Sequence, residues 1–366
     1  MGWLALGGKI CKLLCCGFSP GHRSGELHAM QFPTNPRQLE KLGPKWLTAA
    51  LHSHGSLEIA NRVVSFELQD LGAKGMLGEL RQIAIVYESP TLAPTVAVVK
   101  FASNVLSSRL ITDLFDFNRA EFYFYTRLRN TMEDVILAPK CLFADFNQRT
   151  NQFCLILEHL KHTRDATFCN QLDGVDIPLE DARLIMQKLA KVHARFWGSR
   201  SRDPAFEGWL NRMDNASMLS VVVPQERLLI KGVKTRTCGG TKPSDWTYVF
   251  PEDVSSRWGL FTKATTIYLS RLENHPLRTV THGDPRLDNW FFYKDGSSGE
   301  RSAGLVDWQL QGLGVAPTDL SWFLATSMSP AFCEEHEADL IEHYLMTLRA
   351  HLPESTVVDS KVFWEE

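Results

Sequence analysis

Near Leu160 the hydrophobic pattern of this 366-residue chain turns from mostly strand-like to mostly helical, and that change limits the folds open to it. Ahead of it, "IANRVVSFELQDLG" and "GELRQIAIVYES" are strand-like, and "TVAVVKFAS" is a short β-branched run that carries one lysine. Three such stretches joined by short turns predict an antiparallel meander. The spacing of Leu114, Phe117, Phe124 and Leu128 then predicts one helix over "LITDLFDFNRAEFYFYTRLRN". "APKCLFADF" and "QFCLILEHL" read as two more strands, giving β-β-β-α-β-β. An earlier helix is predicted where Leu39, Leu42, Trp46, Leu47 and Leu51 recur before Gly55. Beyond Leu160 the pattern is mostly helical. "PLEDARLIMQKLAKVHARFWG" has acids in its first turn, an apolar face of Leu184, Leu189, Val192 and Phe196, and Gly198 as its stop. Further helices are expected over "SSRWGLFTKATTIYLSRLENH", "TDLSWFLATSM" and "EEHEADLIEHYLMTLRAHL", with a hairpin of "NWFFY" and "AGLVDWQ" around "KDGSSGER". The expected class is therefore α+β: a small part over 37–160 with an antiparallel sheet plus one helix, and a larger helical part over 161–366.

Residues 1–36 read as a leader and linker. The apolar stretches of "MGWLALGGKICKLLCCGFSP" are interrupted by glycines and lysines, too short and broken to span a bilayer and wrongly charged for a signal peptide. Gly2 stands where myristate would attach, but Leu6 replaces the Ser or Thr of that motif. Cys11, Cys15 and Cys16 could accept palmitate, which would tether the chain to a membrane. The eight cysteines show no C-x-x-C pair, so the expected compartment is a reducing cytoplasm. A net charge of −3 argues against nucleic acid as a partner.

Phosphoryl transfer from a nucleotide needs a close-approaching backbone over the phosphates, a cation on their oxygens, divalent metal, and an acid at the attacking hydroxyl. Candidates for each occur in a consistent chain order. "LGAKGMLGEL" offers Gly72, Gly75 and Gly78, although a glycine-rich hairpin turn has the same look. Lys100 ends "TVAVVK"; Glu121, set among aromatics in "AEFYFY", would keep such a lysine charged and aimed, with Glu133 and Asp134 as competitors. "LILEHL" would cross between the two parts, with Glu158 C=O and Leu160 N–H available to an adenine; an ordinary strand end is the alternative. "THGDPRLDNWFFY" supplies Asp284 for a hydroxyl proton and Asn289 for a metal, with His282 and Gly283 shaping the loop. Asp307, after "AGLV", would be the main metal ligand, since magnesium favours hard oxygens. The aromatics after Asn289 are expected to anchor a strand in the core.

"HGDPRLDN" and "VDWQ" resemble the catalytic loop and metal motif of the aminoglycoside phosphotransferase/choline kinase-like superfamily, most closely its ecdysteroid kinase-like (CHK kinase-like) group. The resemblance covers roughly residues 40–350, supported by "VVKFAS", "RAEFYFY", "LILEHL", "LAKVHARFW" and "APTDLSWFL". It implies a protein-kinase-like bilobal fold, ATP and magnesium (Mg2+) as cofactors, and a small-molecule hydroxyl as acceptor. By position it implies Asp284 as catalytic base, Asn289 and Asp307 as metal ligands, Lys100 with Glu121 as the phosphate-positioning pair, and Asp319 as an acid that steadies the loop. Arg286 stands where many relatives have tryptophan, and the glycine spacing is G-x-x-G-x-x-G. Relatives often continue with more helix beyond a point such as "VFWEE". The other readings are a nucleotide-binding pseudokinase scaffold and, lower, a protein kinase: Gly283 replaces the arginine of that class and "DWQ" its "DFG".

Overall fold

"QFCLIL" alternates in what it buries. Phe153 and Leu155 enter one core while Cys154 and Ile156 enter another, because this strand is covered on both faces. The computed structural model describes residues 23–71, 78–170, 176–199, 206, 210 and 274–365. Gly72, Gly75, the cysteines at 11, 15 and 16, and all but the last two residues of the helix expected over 255–275 lie outside the described residues.

The expected meander forms as β1 (Val63–Asp70), β2 (Gly78–Tyr87) and β3 (Val96–Ala102), followed by β4 (Cys141–Asn147) and β5 (Gln152–Glu158). They make one antiparallel sheet in the order β1-β2-β3-β5-β4. One face is covered by α1 (Pro36–Ser53), whose Leu39, Trp46, Leu47 and Leu51 pack on Ile83, Val99, Phe101 and Ile156. Asn35 caps α1 by accepting the Gln38 N–H at 3.0 Å, and the helix kinks at Gly43 (φ 67°) just before Pro44. Within the stretch read as linker, Arg23–Ser24 pairs with Gln31–Phe32, and the Leu27 N–H donates to the buried Asp145 carboxylate at 3.0 Å.

The single helix expected over residues 110–130 is instead two, α2 (Leu106–Leu114) and α3 (Phe117–Tyr123), the second running on through a π-turn at Phe124–Leu128. The cause is Asp116, whose φ of 55° is left-handed and ends the first helix. The break re-aims α3 so that Phe117, Ala120, Glu121 and Phe124 turn inward.

After β5 come a short helix, α4 (Leu160–Arg164), and β6 (Thr167–Phe168). The larger lobe is built on α5 (Leu179–Arg195), α6 (Ala316–Ser327) and α7 (Pro330–His351). Ile185, Leu189 and Val192 of α5 share a core with Leu340, Leu345 and Leu348 of α7. Asp181, in the first turn of α5, also holds Arg301 through two bonds of 2.7 and 2.9 Å. Two antiparallel ribbons stand beside these helices: β7 (Arg278–Thr281) with β10 (Gly312–Val315), and β8 (Trp290–Lys294) with β9 (Arg301–Leu305) and β6. Trp290, Phe291 and Phe292 are buried, as expected of the aromatic run. The five-stranded sheet, the two smaller ribbons and the helical second part make this an α+β fold of two lobes, the class that the sequence predicts. Among the described residues no helix is long and apolar enough to cross a membrane.

Candidate active site

The ribbons decide where the polar residues stand. The loop 282–289 joins β7 to β8, while Asp307 stands two residues past the end of β9. The Val306 N–H donates to Asn289 O at 2.9 Å, and this stitches the two loops together. Asp307 has φ 64°, a left-handed conformation that costs a non-glycine residue roughly 1–2 kcal/mol.

Lys100, on the central strand β3, is buried and bridges both lobes. Its Nζ donates to Glu121 Oε1 at 2.7 Å and to Asp307 Oδ1 at 2.9 Å, joining positions 207 residues apart. Glu133 and Asp134 are engaged elsewhere, with Arg129 and Arg195. Burial alone would lower the Lys100 pKa, but the two carboxylates more than reverse this and hold the ammonium above its ordinary value. Desolvation pushes Glu121 up, only partly offset by Lys100. Asp307 also suffers desolvation, yet the Lys100 charge and hydrogen bond bring it below the usual aspartate range. Asp307 is thus the firmer anion of the pair. A Cβ on Gly78 would lie 3.1 Å from Phe101 O and 3.3 Å from Lys100 Cε, so this glycine leaves room for the lysine stem.

The loop is gripped from beneath by Asp319, whose buried carboxylate accepts the His282 N–H at 2.7 Å and the Gly283 N–H at 2.9 Å. Sequence reasoning missed the chain behind it. The Tyr344 hydroxyl lies 2.7 Å from His193 Nδ1, and His193 Nε2 lies 3.2 Å from Asp319 Oδ2. Because the carboxylate can only accept, Nε2 carries a proton toward Asp319, while Nδ1 faces the Tyr344 hydroxyl, which can either donate or accept. Burial raises Asp319, but the His193 hydrogen bond and the loop N–H groups carry it below its ordinary value. The His282 ring accepts the Asp284 N–H at Nδ1 (3.2 Å) and reaches Val306 O through Nε2 (3.0 Å), which fixes a neutral tautomer. Burial lowers the His282 pKa accordingly. Its ring meets Trp308 edge-on at 4.6 Å, and Trp308 stacks on Phe124 at 4.4 Å, a contact between lobes.

Asp284 is raised by burial, against the lowering effect of the Trp322 indole, which donates to Oδ1 at 2.8 Å. Arg286 Nε lies 3.6 Å from Oδ2. The Asn289 amide donates to Asp284 O at 2.8 Å, which leaves its Oδ1 as the remaining ligand atom. Trp322 was also invisible as a site residue in the sequence; its one signal is its place three residues after Asp319. At the crossing between lobes the Glu158 N–H is already taken by Lys140 O at 2.8 Å. The Glu158 side chain is tied to the Lys140 N–H, Thr163 and Arg164. Leu160 opens α4, so its N–H falls in a first turn where the helix itself offers no acceptor.

Among the described residues no three His, Cys, Asp or Glu side chains cluster as a metal site. Asp307 and Asn289 nevertheless offer a carboxylate and an amide oxygen. That donor set suits magnesium, which takes few protein ligands and completes its shell with water and phosphate.

No curated protein matches the chain by sequence. Similar solved structures include an aminoglycoside phosphotransferase from Streptomyces rimosus (12% identity, TM-score 0.43, 82% of this chain and 90% of that one). A choline kinase from Streptococcus pneumoniae has 14% identity and TM-score 0.42, over 82% of this chain and 79% of its own. A microcompartment-associated aminopropanol kinase has 14% identity and TM-score 0.39, over 84% and 81%. Residues 254–356, which hold the 282–289 loop, Asp307 and Asp319, match the model of the ecdysteroid kinase-like family, the same family that the sequence motifs resemble.

Proposed function

We propose that this chain is a small-molecule kinase that moves the γ-phosphate of ATP to a hydroxyl group. The observation that carries the reading is Lys100 bonded to both Glu121 and Asp307, with the Asp284 loop laced to Asp307 through Val306 and Asn289. Phosphoryl transfer asks little covalent chemistry of the protein and much positioning of charge, and this is a fixed set of charges.

In this reading Lys100 holds phosphate oxygens while Glu121 keeps its ammonium aimed. Asp307 and Asn289 would hold magnesium, which when bound neutralises charge on the transferring phosphates. Asp284 accepts the proton of the attacking hydroxyl and must be ionised to do so. Because burial raises its pKa, turnover falls as pH drops through that raised value, and the acid limb of the pH–rate profile lies higher than for an unperturbed aspartate. A phosphotransfer screen over alcohols, sterols and amino alcohols, read by ATP consumption, tests the proposal. Acceptor-dependent consumption is expected; MgATP binding with no turnover of any acceptor would point to a scaffold instead.

A further inference from the structure

Helix α6 meets the 282–289 loop at three points. Asp319 takes the backbone N–H groups of His282 and Gly283, and Ser327 Oγ accepts the Leu287 N–H at 2.9 Å. Between them, three residues after Asp319 and so on a neighbouring part of the same helix face, Trp322 reaches the Asp284 carboxylate itself. We propose that Trp322 is a positioning residue for the catalytic base: its indole N–H occupies Asp284 Oδ1 and leaves Oδ2 as the oxygen that receives the acceptor's proton. The inference rests on the kinase reading above and adds to it a residue from outside the loop.

The torsion that sets an aspartate's carboxylate plane is broad, so covalent geometry alone does not aim the oxygens. Donors must do so. Of the groups around this carboxylate, the indole at 2.8 Å makes the short bond; the Asn289 amide is 3.4 Å from Oδ2, and Arg286 Nε is 3.6 Å from it. Trp322 itself is 49% exposed. A large ring left half in solvent gains little from burial there, so packing is a weak reason for a tryptophan at this position, whereas an indole N–H has a specific partner.

The test compares Trp322→Phe, which keeps the ring and removes the donor, with Trp322→Tyr, which supplies a hydroxyl donor on a ring. Asp284→Asn serves as reference, and the readout is release or transfer of the γ-phosphate of MgATP in the presence of pooled small alcohols. Trp322→Phe is expected to lower kcat about tenfold, the scale of a misaimed general base, with KM for MgATP and the melting temperature unchanged. Trp322→Tyr is expected to recover most of that loss. Wild-type kcat in Trp322→Phe, when Asp284→Asn is inactive, overturns the inference and leaves the kinase reading standing. A loss shared equally by Phe and Tyr, or one that follows a lowered melting temperature or a raised KM, also overturns it, in favour of a packing role. Full turnover in Asp284→Asn, or none in the wild type, overturns the kinase reading and this inference with it.

Discussion

A Cβ placed on Gly283 would stand 2.4 Å from Leu310 O, and the residue's φ of 83° already lies in the left-handed region. Both facts follow from the loop's task, which is to pass under Leu310 while its N–H reaches Asp319. Gly283→Ala is therefore expected to destabilise the protein by about 1–3 kcal/mol, measured as a shifted urea midpoint at unchanged slope. Asp307 keeps a similar backbone conformation without the glycine licence, and the ion pair with Lys100 accompanies it. At this scale the sequence was informative where types were rare for their setting. A lysine in a β-branched strand and an acid among aromatics singled out Lys100 and Glu121, and the structure bonds them. It was silent on Trp322, His193 and Tyr344, because a polar ring on an otherwise amphipathic helix has the look of any other helix residue until its partner is known.

At the scale of elements, β5 was legible because both of its faces are covered, so that its run is almost continuously apolar. The break at Asp116 was not legible: an aspartate at left-handed φ leaves the 3.6-residue period of its neighbours almost intact. Helices α5, α6 and α7 together carry the Tyr344–His193–Asp319 chain that supports the loop. Tyr344→Phe would leave His193 Nδ1 buried without its hydrogen-bond partner. The expected cost is about 1–3 kcal/mol in denaturant unfolding. If the chain positions the loop, turnover of MgATP should fall as well, and full stability in this variant would show that the buried imidazole finds another partner.

For the molecule as a whole, the lobes meet where function would require it. Lys100 comes from the sheet, Asp307 from beyond β9, and the Phe124–Trp308 stack lies beside them. Contacts across so much chain leave no periodic trace, and they became readable in sequence only through the resemblance of "HGDPRLDN" and "VDWQ" to a known family. The stretch between 211 and 273, where the sequence predicts a helix from 255 onward, lies outside the described residues. The central claim is phosphoryl transfer that depends on Asp284. Its most direct measurement is release or transfer of labelled γ-phosphate from MgATP, in the presence of pooled small alcohols, by wild-type and Asp284→Asn protein side by side. Wild-type turnover that falls by about a hundredfold to ten-thousandfold in the variant, with MgATP binding retained, is the predicted result. Equal turnover in the two proteins, or no turnover in either despite tight MgATP binding, would contradict it.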